Sequence, residues 1–272
     1  MNIEQTKLVI PGLTRSYTFC HISDVHVAYA YPDEPEAARE MAETHAQKWN
    51  PIGLLPVDAL KQSLDYADEI HADGIFLCGD CADYFSGGTV SFLKERIAET
   101  ETKVFYVCGN HEGADYYKKV ENLRDCYPAY ASLMQGTPDF WIRDFGEFLL
   151  VGMDDSDKKI RAEQLDALRK ATVSGKPVIL LIHIPMYTEA IAPPVRAMWG
   201  DGGTDYFTLG LKHDTELSQE FCRFVKENEA IAAVFAGHIH LAYEGEFAPG
   251  RMQYTSAPAF TGYMRVITVC GE

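Results

Sequence analysis

Five short polar motifs carry the residue types that bind metal ions and transfer protons. They are D-x-H at 24–26, G-D at 79–80, G-N-H-E at 109–112, a lone histidine at 183 and G-H-x-H at 237–240. Carboxylate, amide and imidazole groups together suit transition-metal ions, and an imidazole that is not a ligand can transfer protons. The combination predicts a hydrolytic site that holds two metals.

Each motif carries a different weight when it is taken alone. The D-x-H and G-D motifs are more often turns or helix caps, and a lone histidine is more often a satisfied core residue. The G-H-x-H motif is stronger, because two imidazoles desolvated together without partners would be costly. Five motifs in one order, each at the same kind of position, favour the metal site over these alternatives.

Apolar segments precede the motifs and must position them. They are rich in β-branched and aromatic residues and cover residues 17–20, 75–78, 104–108, 178–182 and 231–235. Such runs predict strands covered on both faces, whose ends gather polar residues at the sheet edge where α/β folds bind ligands. Because Asp24 and His26 alternate along an extended segment, their side chains converge only if the backbone turns at Val25.

Helical periodicity fills the segments between several of these strands. It covers residues 56–71, 161–171 and 215–228, and the alternation predicts an α/β fold. Residues 252–256 and 264–270 predict two more strands with no helix between them, and therefore an antiparallel, hairpin-like finish. Two insertions, at about 28–55 and 185–212, are rich in Pro, Gly and aromatic residues and are expected to frame a substrate pocket.

Length and composition predict one domain over residues 1–272, since the motifs span most of a chain that is 47% hydrophobic. No apolar stretch approaches the roughly 18 residues of a membrane span, and the first residues lack the pattern of a secretory signal. Seven cysteines scattered through apolar runs predict reduced, buried thiols and a cytoplasmic location. Cys78 and Cys81 form a C-x-x-C that could be redox-active, but Asp80 inside it belongs to the metal pattern.

The formal net charge of −16, with 24 basic against 40 acidic residues, disfavours a general nucleic-acid binder. An anionic substrate would then be attracted by the local field of the metals and not by the overall charge.

The series D-x-H, G-D-x-x-D, G-N-H-E, His and G-H-x-H resembles the calcineurin-like metallophosphoesterase superfamily over nearly the whole chain. The resemblance implies a four-layer α/β/β/α sandwich with mixed sheets. It implies two metal sites that share one bridging carboxylate: Asp24, His26, Asp80 and His240 for one metal, and Asp80, Asn110, His183 and His238 for the other. It also implies that His111 approaches the leaving-group oxygen without binding metal, that Asp83 orients His111 and that Glu112 supports the turn.

Departures from related patterns narrow the expected substrate. Phosphoprotein phosphatases place Arg-Gly where this chain has Tyr84-Phe85, and again before the Asn-His motif, where it has Cys108. Without these bidentate arginines a protein phosphatase is the weaker alternative. Purple acid phosphatases have a tyrosine at the position of Asp83. What remains is a phosphodiesterase or phosphomonoesterase acting on a small, nucleotide-like ester.

In such a site a hydroxide that bridges two metals about 3.5–4 Å apart would attack phosphorus, and His111 would protonate the departing alkoxide. Manganese, iron and zinc all suit these ligands, and the sequence leaves the metals and the oligomeric state open. The alternative from another class is a non-catalytic scaffold or protein-interaction module of the same fold.

Other aromatic and histidine residues are assigned lesser roles. Aromatic residues of the insertions could stack on a base, although core or loop packing is the commoner role. These aromatics are Tyr29, Tyr31, Trp49, Trp199, Tyr206 and Phe207. The remaining histidines are expected to be ordinary: His21, His45, His71 and His213.

Overall fold

Two mixed β-sheets form the centre of the structure, a computed structural model that describes residues 1–114 and 123–271. Within these residues the first sheet has five strands. In spatial order they are β1 (Asn2–Val9), β11 (Tyr263–Cys270), β2 (Tyr17–Ile22), β3 (Gly74–Cys78) and β4 (Val104–Val107). The strands β2, β3 and β4 run parallel to one another, and β11 runs antiparallel to β2 and parallel to β1.

The second sheet has six strands in the same described part of the chain. In spatial order they are β5 (Phe140–Asp144), β6 (Leu149–Met153), β7 (Val178–Leu181), β8 (Ile231–Ala236), β10 (Arg251–Thr255) and β9 (Tyr243–Ala248). The strands β6, β7, β8 and β10 are parallel, and β5 and β9 are antiparallel to their neighbours at the two edges.

Helices cover the outer faces of both sheets. Their bounds are α1 (Glu36–Lys48), α2 (Pro56–Glu69), α3 (Gly87–Glu99), α4 (Tyr127–Tyr130), α5 (Ala162–Thr172), α6 (Ala192–Trp199), α7 (Gly203–Phe207) and α8 (Glu216–Glu227), with 3-10 turns at Leu123–Cys126 and Ala259–Thr261. The helices α2 and α3 pack on the first sheet, and α5 and α8 pack on the second. None of the helices in the described ranges is long and apolar enough to cross a membrane.

An aromatic layer separates the two sheets. Phe19 and Phe76 of the first sheet stack at 4.5 Å between ring centroids, and Phe76 lies 5.3 Å from Phe235 of the second sheet. All three are fully buried, together with aliphatic residues from both sheets. Helix, sheet, sheet and helix therefore stack as the expected four-layer α/β/β/α sandwich with mixed sheets.

The predicted elements agree with the structure where the sequence pattern is local. Strands occur in all five apolar segments that precede the motifs, and the three predicted helices appear as α2, α5 and α8. Thr215 caps α8, because its side chain accepts a hydrogen bond from the Ser218 N–H. Each insertion contains helical structure: α1 lies in the first, and α6 and α7 lie in the second.

The predicted hairpin-like finish is wrong. The strand β10 pairs with β9 and β8 in the second sheet, whereas β11 joins the first sheet between β1 and β2. The chain crosses between the sheets at residues 256–262. It ends this connection at Gly262, whose φ of +72° is a left-handed conformation that favours glycine.

Candidate metal centre

The polar motifs meet at one edge of the two sheets. Asp24, Asp80 and Asn110 follow the carboxyl ends of the neighbouring strands β2, β3 and β4, while His183 and His238 follow β7 and β8. Parallel strands have their carboxyl ends on the same side, so each sheet brings its motifs together. Packing of the sheets then places the two groups of side chains opposite each other.

Left-handed backbone turns aim the side chains of the motifs into this edge. Five motif residues other than glycine have positive φ: Asp24 (52°), His26 (56°), Asp80 (52°), His238 (69°) and His240 (54°). This conformation is uncommon for such residues and costs on the order of 1–3 kcal/mol each. It allows residues two apart to face one side, and it supplies the turn around the buried Val25 that the D-x-H spacing predicts.

Two glycines are required by the close packing of the site. A Cβ on Gly79, which has a φ of +83°, would lie 2.4 Å from Nδ1 of His183. A Cβ on Gly109 would lie 2.2 Å from Oδ1 of Asp80. Any larger residue would displace the neighbouring polar side chain.

A first group of metal-binding side chains consists of Asp24, His26 and His240, whose donor atoms lie within 4.8 Å of one another. Both oxygens of the Asp24 carboxylate lie 3.1 Å from the donating N–H of His238, and Oδ1 lies 3.5 Å from Nε2 of His240. The Nε2 atoms of His26 and His240 are 3.2 Å apart. Two ring nitrogens so close cannot both carry a proton, which suits coordination of a shared cation.

A second group consists of Asp80, His183 and His238, again within 4.8 Å of one another, with Asn110 beside it. Nδ1 of His183 donates to the carbonyl of Cys78 at 2.8 Å, so Nε2 carries the lone pair in the neutral ring. That Nε2 lies 3.2 Å from Oδ2 of Asp80 and 3.3 Å from Oδ1 of Asn110. Lone pairs from three side chains therefore face one point.

The electrostatics of the two groups favour added positive charge. Burial lowers the pKa of His238 to about 3, so its ring is neutral and can act as a ligand. Burial alone would also lower the pKa of His183, but the Asp80 carboxylate outweighs it and raises that pKa to about 10. A cation at this point, whether a proton or a metal ion, offsets the buried carboxylate.

His111 lies beside the first group. Its backbone N–H donates to Oδ1 of Asp80 at 2.8 Å, and its Nδ1 donates to the carbonyl oxygen of Asp83 at 2.8 Å. Oδ1 of Asp83 is 3.3 Å from the same Nδ1. Burial would lower the pKa of His111, but the carboxylates of Asp80 and Asp83 raise it to about 9.

Glu112 ties the loops after β3 and β4 together. Its fully buried carboxylate accepts four backbone N–H groups, those of Gly109, Asp80, Cys81 and Ala82, at 2.7 to 3.2 Å. The Tyr106 hydroxyl also donates to it at 2.6 Å. Burial, and next the charge of Asp80, raises the pKa of Glu112. The residue supports the turn that holds Asp80, as the sequence predicts.

The sequence analysis missed a carboxylate that positions His183. Asp155 is fully buried after β6 and accepts the backbone N–H groups of His183 at 2.9 Å and Ile184 at 3.0 Å. Burial raises its pKa to about 7. Its position at a strand end, like those of the other motifs, was a signal that could have identified it.

Of the four histidines expected to be ordinary, His45 is a correction. Its Nδ1 contacts Oδ2 of Asp83, so α1 places it against the site. The sequence gave no sign of this, because the contact joins an insertion to a distant loop. His21 is buried against Phe235, while His71 and His213 are exposed.

Aromatic residues from both insertions line the metal-binding histidines. Trp49 stacks on His26 with ring centroids 4.1 Å apart, and Trp199 lies 5.6 Å from His240. The indole N–H of Trp199 donates to the Ile239 carbonyl at 2.8 Å. The insertions therefore flank the site, as predicted.

The C-x-x-C pair does not show the features of a reactive dithiol. Cys78 and Cys81 are free and buried, and burial raises the pKa of both thiols. Protonated thiols are poor nucleophiles and poor metal ligands.

Comparison with known proteins identifies the family. The family model described as calcineurin-like phosphoesterase matches residues 17–242, and the chain belongs to that family. Its members depend on a dinuclear metal centre and act on phosphoesters, and the two groups of candidate ligands agree with this dependence. No curated protein matches the chain in sequence.

Solved structures support the fold. A dimetal phosphatase from Danio rerio is 12% identical with a TM-score of 0.56, covering 90% of this chain and 88% of that one. A phosphopantetheinyl hydrolase from Mycobacterium tuberculosis is 12% identical with a TM-score of 0.48 and coverages of 89% and 90%. A 5'-nucleotidase from Candida albicans is 12% identical with a TM-score of 0.45 and coverages of 89% and 46%, so the chain spans about half its length.

Replacing Glu112 tests whether this buried carboxylate supports the turn. In Glu112→Gln one acceptor oxygen becomes an NH2 group that faces donors, so at least two N–H or O–H groups lose their acceptor. We expect the free energy of unfolding to fall by at least about 2 kcal/mol, measured by urea denaturation. The exposed Glu101→Gln is the matched control, and equal stability of both variants would contradict the assigned role.

Proposed function

We propose that this protein is a metal-dependent hydrolase that cleaves phosphoester bonds of a small, nucleotide-like substrate. The observation that carries the proposal is the convergence of seven candidate ligands at one edge of two sheets, with unprotonated ring nitrogens and carboxylate oxygens facing each other. The family provides the reaction class, and the residues of this chain provide the details below.

The seven ligands divide into two metal sites. In the first, Asp24, His26 and His240 bind one ion, and in the second, Asn110, His183 and His238 bind the other. Asp80 bridges them. The two groups of mutually close donor atoms support this division. Manganese, iron and zinc all accept such mixed nitrogen and oxygen ligands, and bound ions would activate a water molecule and neutralise phosphate charge.

His111 is the proton donor to the leaving group, and Asp83 orients it. Nδ1 of His111 is held by the backbone carbonyl of Asp83, which leaves Nε2 for the substrate. The side chain retains 23% of its exposure, so a bound ester can reach it. An imidazole near a phosphoester oxygen is suited to this transfer, since protonation of the departing alkoxide lowers the barrier.

The substrate is small and carries a planar group. In the described residues, the ion pairs of Asp24, Asp80 and Asp83 are all with histidines and none is with Lys or Arg. This disfavours the arginine-clamped binding of a protein phosphatase. Tyr206, 63% exposed, lies beside His238 with ring planes 25° apart and offers a face for a base.

We place the reaction in the cytoplasm. All seven cysteines are free and buried, which is the usual state in a reducing compartment.

The bridging role of Asp80 predicts the metal content. We expect purified wild type to contain close to two transition-metal ions per chain, measured by inductively coupled plasma mass spectrometry. Asp80→Asn removes the charge that would hold both ions, so metal content should fall and hydrolysis of an aryl phosphate should be lost. The exposed Asp65→Asn should match wild type. Wild-type turnover with a metal content near zero would disprove the proposal.

The proton-donor role of His111 predicts a dependence on the leaving group. His111→Ala keeps the backbone N–H that donates to Asp80, so both metals should remain bound. Turnover should fall by about 10²–10⁴-fold for esters with poor leaving groups and by less for good ones. The check is a series of aryl esters of increasing leaving-group pKa, with His213→Ala as the control. An equal loss across the series would instead make His111 a phosphate-positioning donor.

The exposed ring of Tyr206 predicts discrimination between substrates. A screen of cyclic nucleotides, nucleoside monophosphates, dinucleotides and phosphoglycerol diesters with manganese should find the nucleotide esters cleaved most efficiently. For the best of these, Tyr206→Ala should raise KM at least about fivefold, equivalent to about 1 kcal/mol of lost stacking. A small aryl ester should be unaffected. Equal changes on both substrates would argue against a base-stacking role.

A further inference from the structure

The Asp83 carboxylate is a fully buried meeting point between the metal centre and α1. Its Oδ1 lies 3.1 Å from Nδ1 of His26 and accepts the indole N–H of Trp49 at 2.7 Å. Its Oδ2 contacts Nδ1 of His45. Both His45 and Trp49 come from the first insertion, so a single carboxylate joins this insertion to a candidate metal ligand.

The helix α1 has few other means of attachment to the rest of the fold. Of its residues, only Ala42 is buried. His45 and Trp49 are four residues apart, which places both on the same side of the helix end. The Trp49 ring lies nearly parallel to that of His26, with an interplanar angle of 20°, and it also packs at 5.0 Å from Phe260.

Together these contacts fix the His26 ring in two ways. The bond from Nδ1 to Asp83 determines that Nε2 is the nitrogen aimed at the metal, and Trp49 restricts rotation of the ring. A carboxylate that orients a ligating histidine commonly tunes metal affinity. Here the carboxylate is itself held by His45, because a buried Oδ2 without a donor would favour rotation of the carboxylate towards another partner.

We propose that His45 and Trp49 are positioning residues for the metal centre, acting through Asp83 on His26, so that α1 is part of the site and not only a wall beside it. The proposal rests on the proposed metal-dependent function. It assigns the two residues an effect on the ion bound by Asp24, His26 and His240, and no direct contact with the reacting atoms.

The test is a calorimetric titration of chelator-treated protein with Mn²⁺, combined with steady-state kinetics on an aryl phosphate. His45→Ala removes the donor to Asp83. His45→Asn replaces Nδ1 by an amide nitrogen at about the same place in the side chain. Trp49→Phe keeps a ring over His26 but removes the indole N–H. Glu43→Ala, an exposed change on the same helix, is the matched control.

We expect two Mn²⁺ binding events in wild type. His45→Ala should weaken one of them by about 10-fold and leave the other unchanged, with a lower kcat and a nearly constant KM. His45→Asn should restore most of the loss, Trp49→Phe should show a smaller defect of the same kind, and Glu43→Ala should match wild type. Wild-type binding and kcat in His45→Ala would overturn the proposal. So would equal weakening of both events together with a lower melting temperature, because that result describes a structural role.

The titration also separates this proposal from the proposed function. If wild type binds two Mn²⁺ ions but cleaves none of the screened esters, the proposed reaction fails while the binding data still decide the role of His45. If wild type binds no Mn²⁺, both fail together.

Discussion

The pairing of buried carboxylates with groups from the opposite sheet is the constraint on which the site depends. Asp24 and Asp80 are almost fully buried at the edge of the first sheet, where an unpaired charge would cost several kcal/mol. Asp24 accepts the backbone N–H of His238, and Asp80 lies against His183, both from the second sheet. The relative position of the two sheets therefore determines the geometry of the site.

This arrangement requires local strain that the rest of the fold must offset. Five residues of the motifs adopt left-handed conformations, and the glycines at 79 and 109 admit no larger side chain. Glu112 stabilises the turns by accepting four backbone N–H groups. The aromatic layer of Phe19, Phe76 and Phe235 between the sheets supplies hydrophobic stabilisation outside the site, so the strained edge rests on a well-packed interior.

The site was more predictable from sequence than its surroundings were. Strand ends are visible locally, because an apolar run stops where a polar motif begins, and this sufficed to group Asp24, Asp80 and His183. Pairing partners are not local. The last strand joins the first sheet and not its neighbour β10, and nothing in residues 252–270 distinguishes the two outcomes. The helix α1 was missed because it buries only Ala42 and has no strong apolar stripe.

The contacts of α1 explain how an acidic protein can present a site for an anion. Surface carboxylates act over about 8–10 Å before salt screens them, whereas groups in a buried site interact through a lower dielectric. Near the metal centre the inward carboxylates already have partners: Asp83 with His45 and Trp49, and Asp80 with His111 and His183. Their negative charge is directed towards these donors and the bound cations. The field that a phosphoester meets is then set by the metal centre and its histidines, while the net charge of −16 lies mostly on the surface.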